Sequence, residues 1–157
     1  MTENIRAKIL AEALCEINRH GADFHMDNLA RNLRISKRTL YEHFSSKQEI
    51  IEQAISDFTN KIYTYHRRIV SDSTMTCEAK LIAYFDVPSD NWQVLSVRKA
   101  SELLTKMPDV WNRLQSRYEK DWRLLEQLLD EAQETGEFKP FDKFLFLRLL
   151  HSAANDI

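Results

Sequence analysis

The chain has 157 residues, of which 43% are hydrophobic and 29% charged, and its formal net charge is −2. Its two glycines and three prolines are too few for the turns of an all-β sandwich or for the glycine-rich loops that bind nucleotide phosphates. The two cysteines, Cys15 and Cys77, argue against a disulfide framework and suit a reducing compartment. No apolar run approaches the ~18 residues of a membrane span. We therefore expect a mostly helical, cytoplasmic protein with no membrane partner.

Hydrophobic periodicity predicts four helices in the first half of the chain. Gly21 marks the end of the first helix, since glycine is favoured just beyond a helix C-terminus. Ser46 and Glu49 have the spacing of a capping box at the start of the fourth helix, whose apolar residues recur at steps of four and three up to Ile69. The predicted spans are about 3–20, 27–33, 37–44 and from 46 to about 70.

The second half is also predicted to be helical, and its prolines fall between the periodic segments. The last helix is dense in large apolar residues on more than one face. It should therefore be buried on two sides, against its own domain and against a partner. The predicted spans are about 77–85, 91–104, 109–134 and 141 to the end.

Charge is unevenly distributed along the chain. Residues 1–68 contain 11 Lys and Arg against 9 Asp and Glu, whereas residues 69–157 contain 11 against 15. Within residues 31–47 five basic side chains accompany one acidic side chain, Glu42. A concentrated basic segment on a mildly acidic protein is typical of a small DNA-contacting module attached to a body with another role.

Residues 27–44 have the pattern of a helix-turn-helix motif. Leu29 and Leu33 lie on one face of the first short helix, and Leu40 lies on the facing stripe of the second. Ser36 precedes the second helix and can cap it. In this motif the second helix enters the major groove of DNA with its N-terminal side chains toward the base edges.

The candidate DNA-contacting residues of this segment form two groups. Side chains at the start of the second helix can read or flank bases, because lysine and arginine donate hydrogen bonds to guanine. These candidates are Lys37, Arg38, Thr39 and Tyr41. The others are placed for phosphate contacts, which position a protein without reading sequence. These candidates are Arg34, His43 and Lys47. The alternative is a helical hairpin with a solvated basic face, but the apolar spacing and the polar turn favour DNA binding.

The string Ser-Lys-x-Thr-Leu-Tyr-x-His-Phe-x-x-Lys occupies residues 36–47, and Gly21 and residues 26–30 precede it. With these neighbours, residues 5–55 resemble the N-terminal signature of the TetR/AcrR family of bacterial regulators. The resemblance implies an all-α fold in which a helix-turn-helix DNA-binding domain of three helices, residues 1–48, is joined by a long helix to an all-helical effector-binding and dimerisation domain, residues 49–157. It also implies a homodimer on a palindromic DNA operator, usually a repressor released by a small ligand.

Four features depart from the pattern of that family. Arg34 stands where the family usually has glycine, and a left-handed conformation there would cost a non-glycine residue about 1 kcal/mol. His25 replaces a hydroxyl residue that caps the next helix, and Arg38 replaces a common glycine and adds a candidate base reader. The family usually closes with two helices that pair in the dimer, whereas one helix follows Gly136 here. Either a final helix is absent from this sequence or the dimer is built differently.

The resemblance places an effector site among the helices of the second domain, where side chains with an apolar body and a polar tip are candidates. Plain core packing is the alternative for each of them. The candidate effector-binding residues are His66, Trp92, Trp111, Tyr118 and Tyr63. The homodimer is expected to form through the C-terminal helices, including Phe144, Phe146 and Leu150.

The remaining chemistry of the sequence is sparse. The five histidines have no metal-binding spacing, and no nucleophile or acid pair indicates catalysis, so we expect no cofactor, no metal and no enzyme activity. Cys77 as a redox-sensing thiol is a minor alternative. A competing hypothesis is a helical dimer that binds small molecules or a protein partner and carries an inactive helix-turn-helix, for which Arg34 and His25 are the best support.

Overall fold

A computed structural model describes residues 2–87, 102–103 and 105–156 of the chain. Over these residues the regular structure is helical throughout, which confirms the predicted all-α class. None of the helices described is both long enough and apolar enough to cross a membrane. The helices described are α1 (Thr2–His20), α2 (Met26–Leu33), α3 (Lys37–His43), α4 (Lys47–Val70), α5 (Cys77–Phe85), α6 (Pro108–Glu134) and α7 (Lys143–Asp156), with a 3₁₀ turn at Gly21–Asp23.

Most predicted helix bounds lie within two residues of the observed ones. The predicted helix at 91–104 falls outside the described residues except at 102–103, which are helical. The expectation that Pro108 lies between helices was wrong, because it is the first residue of α6. Proline is well suited to that position, since its missing N–H has no intrahelical partner there in any case.

Side-chain caps fix the starts of α3 and α4 in the segment predicted to bind DNA, residues 27–47, which is called the DNA-binding segment below. Ser36 Oγ accepts from the Thr39 backbone N–H at 3.0 Å, and Ser46 Oγ accepts from the Glu49 N–H at 3.1 Å. The predicted capping box is only half formed. The Glu49 carboxylate bonds to the backbone N–H and the hydroxyl of Ser45, each at 2.7 Å, instead of the Ser46 N–H. These bonds to Ser45 lower the pKa of Glu49.

The core of the DNA-binding segment is shared between the two predicted domains. Leu29, Leu40 and Ile50 are fully buried where α2, α3 and the start of α4 pack on α1. Three further members come from beyond residue 100, and the core therefore crosses the predicted boundary between residues 48 and 49. They are Leu103, Val110 and Leu114.

Polar contacts join the same parts of the chain at the edge of this core. The Arg113 guanidinium donates to both carboxylate oxygens of Glu52, at 2.5 and 2.6 Å. One turn further along α6, Arg117 donates to the hydroxyl of Ser56. Bidentate arginine–carboxylate pairs fix geometry as well as adding energy. The N-terminal half of α6 is therefore held against α4 next to the DNA-binding segment.

A second core lies at the other end of α4, where α5, α7 and the C-terminal half of α6 meet. The fully buried members from α6 are Leu125, Leu128, Leu129 and Ala132. Lys80 on α5 is also buried, and its ammonium lies 3.2 Å from the Glu131 carboxylate. Cys77 is buried in this core, and burial raises the pKa of its thiol, which does not favour a redox-sensing role. Because α6 contributes to both cores, it connects them rigidly.

We expect Leu114→Ala to destabilise the DNA-binding segment although residue 114 lies far from it in sequence. Removing a buried leucine side chain typically costs about 2–5 kcal/mol. Urea unfolding should show a loss of that size, and amide hydrogen exchange in α3 should accelerate. Ile82→Ala is the matched control, since Ile82 is 63% exposed and surface changes usually stay within about 0.5 kcal/mol. Equal effects of the two substitutions would contradict the shared core.

Candidate DNA-binding site

The turn between α2 and α3 is tight and left-handed. Arg34 has φ 55° and ψ 39°, the only positive φ at a non-glycine residue among those described. Its N–H donates to the Arg31 carbonyl at 3.1 Å, and the Ile35 N–H donates to the Ala30 carbonyl at 3.0 Å. These bonds satisfy the last carbonyls of α2. The turn therefore has the conformation that usually favours glycine, with arginine in it.

His25 occupies the cap position of α2 and makes no side-chain capping hydrogen bond. The side-chain cap is therefore missing at this position, as the replacement of a hydroxyl residue by His25 indicated. The start of α2 instead relies on backbone bonds, in which the His25 carbonyl accepts from the N–H groups of Asn28 and Leu29.

The N-terminal half of α3 presents its cationic side chains to solvent. Lys37 Nζ lies 2.7 Å from an Asp27 carboxylate oxygen, and Arg38 Nε lies 3.0 Å from a Glu42 carboxylate oxygen. Both pairs are largely exposed, and the Arg38 side chain is 89% exposed. Exposed ion pairs contribute about 0–1 kcal/mol. Either cation can therefore leave its carboxylate for a base or a phosphate at small cost.

The other two candidates on α3 differ in their surroundings. Tyr41 is 50% exposed, so its ring and hydroxyl are available to a partner. The hydroxyl of Thr39 lies 2.9 Å from Ser36 Oγ, within the cap of the helix. Thr39 is half-buried and therefore stabilises the start of α3 in addition to its predicted role at the bases.

The predicted phosphate-contacting residues lie around the two ends of the motif. Arg34 is exposed in the turn and His43 is half-buried at the last position of α3. Lys47 begins α4, and its ammonium lies 4.5 Å from the centre of the Phe24 ring. Partial burial there lowers the pKa of Lys47. A phosphate at this helix start would meet both the lysine and free backbone N–H groups.

Sequence reasoning missed Arg6, which ties α1 to the end of α3. Its guanidinium donates to the His43 carbonyl and to the Gln53 side chain, the latter at 2.7 Å, and it lies 4.2 Å from the centre of the Phe44 ring. Residues 37 or more positions apart in sequence meet here, so no local spacing could have indicated the contact. Arg6 holds the C-terminal end of α3 in place.

The predicted effector-binding residues are only partly brought together. His66 is 5% exposed and meets Tyr84 of α5 and Asp121 of α6. Trp111 and Tyr118 lie in one row with Trp122 along α6, with ring centres 5.9 and 6.0 Å apart. Tyr63 is half-buried on α4, and Trp92 lies outside the described residues. Within the described ranges, no group of three or more His, Cys, Asp or Glu is placed to hold a metal ion.

Comparison with known proteins finds similarity to one family of regulators. Residues 9–54 match the family model described as bacterial regulatory proteins, tetR family. Over 150 residues the chain is 25% identical to YvaF of Bacillus subtilis, an uncharacterised HTH-type transcriptional regulator, covering 96% of this chain and 79% of that protein. The N-terminal segment is thus similar to that of TetR-family regulators. Together these matches support a DNA-binding transcriptional regulator of the TetR type.

Two further matches agree with this assignment. The chain is 22% identical to the HTH-type transcriptional repressor KstR2 of Mycolicibacterium smegmatis, over 72% of this chain and 57% of that protein. Its fold matches the crystal structure of a TetR transcriptional regulator from Legionella pneumophila with a TM-score of 0.69. That match is 23% identical and covers 95% of this chain and 82% of the other, so it establishes the TetR fold beyond the helix-turn-helix.

The left-handed turn gives a direct test of local strain. We expect Arg34→Gly to be about 0.5–1 kcal/mol more stable than Arg34→Ala, because glycine adopts a positive φ without steric cost and alanine does not. Both substitutions remove the same charge, so the difference in their free energies of unfolding isolates the backbone. A variant pair of equal stability in urea unfolding would show that the turn relaxes away from the left-handed conformation.

Proposed function

We propose that this chain is a homodimeric repressor that binds a palindromic operator through α3 and is released when a small effector binds within residues 49–157. The observation that carries the proposal is the exposed, exchangeable pair of cations at the start of α3. Lys37 and Arg38 are held by carboxylates only at the surface, on a helix whose opposite face is anchored by fully buried Leu40.

Each candidate side chain takes one role in this proposal. Lys37 and Arg38 donate to guanine edges, while Thr39 and Tyr41 read or flank neighbouring bases. Arg34, His43 and Lys47 hold phosphates on either side of the groove and so fix the register of α3. Glu42 and Asp27 lose their partners on binding, and they would repel phosphates unless they turn to solvent or accept from a cytosine amino group.

An apolar surface on α7 supports the homodimer. Phe144, Leu145 and Leu149 are 70%, 54% and 61% exposed. A cluster of exposed large apolar residues usually marks an interaction surface. Phe146 and Leu150, which the sequence also placed at the interface, are half-buried against the second core of their own chain. We therefore centre the proposed dimer contact on the three exposed residues. A two-fold dimer matches a palindrome when its recognition helices are about 34 Å apart.

Coupling between effector and DNA follows from the position of α6. This helix contributes Leu125 and Leu129 to the second core and Val110 and Leu114 to the core beneath α2 and α3. A ligand that shifts α6 therefore shifts the support of the recognition helix and changes the spacing of the two copies of α3. Release then requires only that the ligand bind the altered state more tightly.

The competing function, a ligand- or partner-binding dimer with an inactive helix-turn-helix, loses part of its support. Arg34 and His25 were its best support, and His25 makes no cap. The turn at Arg34, however, keeps the left-handed geometry and both backbone bonds with arginine in place. The salt dependence of binding to random duplex DNA separates the two functions. It should be steep for a DNA-binding protein, because phosphate contacts release counterions, and absent for the alternative.

We expect Lys37→Ala combined with Arg38→Ala to remove specific binding to the DNA that flanks the chain's own gene. Good contacts to bases contribute about 1–3 kcal/mol each, so the loss should exceed roughly thirtyfold in a gel shift with random-sequence competitor. The matched control is Lys120→Ala with Arg123→Ala, which removes the same charge from exposed positions of α6.

The control should bind close to wild type, and the dimer should persist in both variants by sedimentation. If the double substitution in α3 leaves operator affinity unchanged while the protein stays folded, the proposed recognition by α3 is wrong.

A further inference from the structure

Glu42 lies with Arg38 on the side of α3 that faces away from the protein core. Successive residues of an α-helix are rotated by about 100°, so the positions two before and two after Leu40 both lie about 160° round the helix from it. Leu40 is fully buried, whereas the side chains of Arg38 and Glu42 are 89% and 56% exposed. In the proposed complex with DNA these two side chains therefore occupy the middle of the groove-facing side of α3.

A hydrogen bond brings the two side chains to the same level of the helix. Glu42 comes four residues after Arg38, and its carboxylate accepts from Arg38 Nε at 3.0 Å. Side chains on a helix lean towards its N-terminus, which explains how a carboxylate from the last turn of α3 reaches the first. A base that the Arg38 guanidinium contacts therefore lies close to the Glu42 carboxylate.

A carboxylate on this side of α3 needs a hydrogen-bond donor once the helix enters the major groove. The phosphates make the groove a region of negative potential, and an ionised carboxylate only accepts hydrogen bonds. When Arg38 turns to a base, Glu42 loses the partner that it has in the free protein. The base edges in the major groove offer two donors, the N4 amino group of cytosine and the N6 amino group of adenine. Guanine and thymine present only acceptors and a methyl group there, so they would leave the carboxylate unpaired.

The position of Arg38 decides between these two donors. When its guanidinium donates to N7 and O6 of a guanine, the N4 amino group of the paired cytosine lies beside that O6 on the same edge. The Glu42 carboxylate, which lies 3.0 Å from Arg38 Nε in the free protein, is then next to a donor. An adenine–thymine pair places its single donor between two acceptors, so it offers arginine no two adjacent acceptors. A guanine–cytosine pair therefore satisfies both side chains at once.

We propose that Glu42 is a specificity-determining residue, which accepts from the N4 amino group of a cytosine while Arg38 donates to the guanine paired with it. This inference rests on the proposed binding of DNA by α3, and it adds which base pair the helix requires. Any other pair at this position leaves a desolvated carboxylate without a donor, which costs more than the loss of an attractive contact alone. Glu42 thus acts mainly by rejecting the wrong base pairs.

Methylation of single cytosines tests the contact at the level of one hydrogen bond. A recognised sequence is first selected from random-sequence duplexes with the full chain. Each cytosine of the selected duplex is then replaced, one at a time, by N4-methylcytosine. The methyl group takes the place of the groove-facing amino hydrogen, and the pairing with guanine and the guanine N7 and O6 atoms are kept. Binding of each modified duplex is compared between the unsubstituted protein and the variant Glu42→Ala.

We expect methylation of at least one cytosine to weaken binding by the unsubstituted protein about tenfold, since a good contact to a base contributes about 1–3 kcal/mol. Glu42→Ala should not respond to methylation of that cytosine. The variant should also bind random-sequence duplexes more tightly than the unsubstituted protein, because it has lost a negative charge. Glu126→Ala is the matched control, since Glu126 is an exposed glutamate of α6, and it should keep the response to methylation.

The response of the unsubstituted protein to methylation does not depend on the folding of any variant. If no cytosine responds, or if Glu42→Ala responds as strongly as the unsubstituted protein, Glu42 does not read cytosine and is only a surface partner of Arg38. The proposed function would survive that result, because a sequence has been selected. If the folded chain selects no sequence at all, the proposed function is wrong, and this inference is wrong with it.

Discussion

The packing of α6 along α4 is the constraint on which the rest of the structure depends. The two helices of the DNA-binding motif contain eight and seven residues, well below the length at which an isolated helix is stable in water. They persist because Leu29 and Leu40 are buried in a core that Val110 and Leu114 of α6 complete. The packing beneath α3 therefore depends on residues from both halves of the chain, and a displacement of α6 would change that packing.

This arrangement separates the buried side chain that holds α3 in place from the exposed ion pairs whose cations can change partners. Leu40 beneath α3 is fully buried, whereas Lys37 and Arg38 above it hold carboxylates in exposed pairs that water and salt weaken. In the middle of α6, the Asp121 carboxylate is hydrogen-bonded to His66 and Tyr84. Asp121 lies eleven positions after Val110 on this helix, which places their Cα atoms roughly 16 Å apart along the helix axis. One continuous helix thus connects this buried polar cluster to the core beneath the proposed DNA-binding surface.

Sequence patterns predicted what depends on neighbours along the chain. The apolar repeat predicted α4. The caps at Ser36 and Ser46 were predicted correctly, because a cap joins residues only three positions apart. Contacts between distant segments were not predictable from spacing. The carboxylate that binds His66 lies 55 residues away, and the Asp27 partner of Lys37 sits on another helix. The left-handed conformation of Arg34 was foreseen as a cost, and the structure shows that backbone bonds across the turn hold it there.

The central claim is the proposal that this chain binds DNA as a two-fold dimer whose recognition helices enter successive major grooves. A chemical footprint of the full chain on the DNA flanking its own gene, in the presence of random-sequence competitor, tests it most directly. The account predicts two protected segments related by a palindrome, with centres about one helical turn apart. A single protected segment without symmetry, or no protection at low salt by a folded protein, would contradict it.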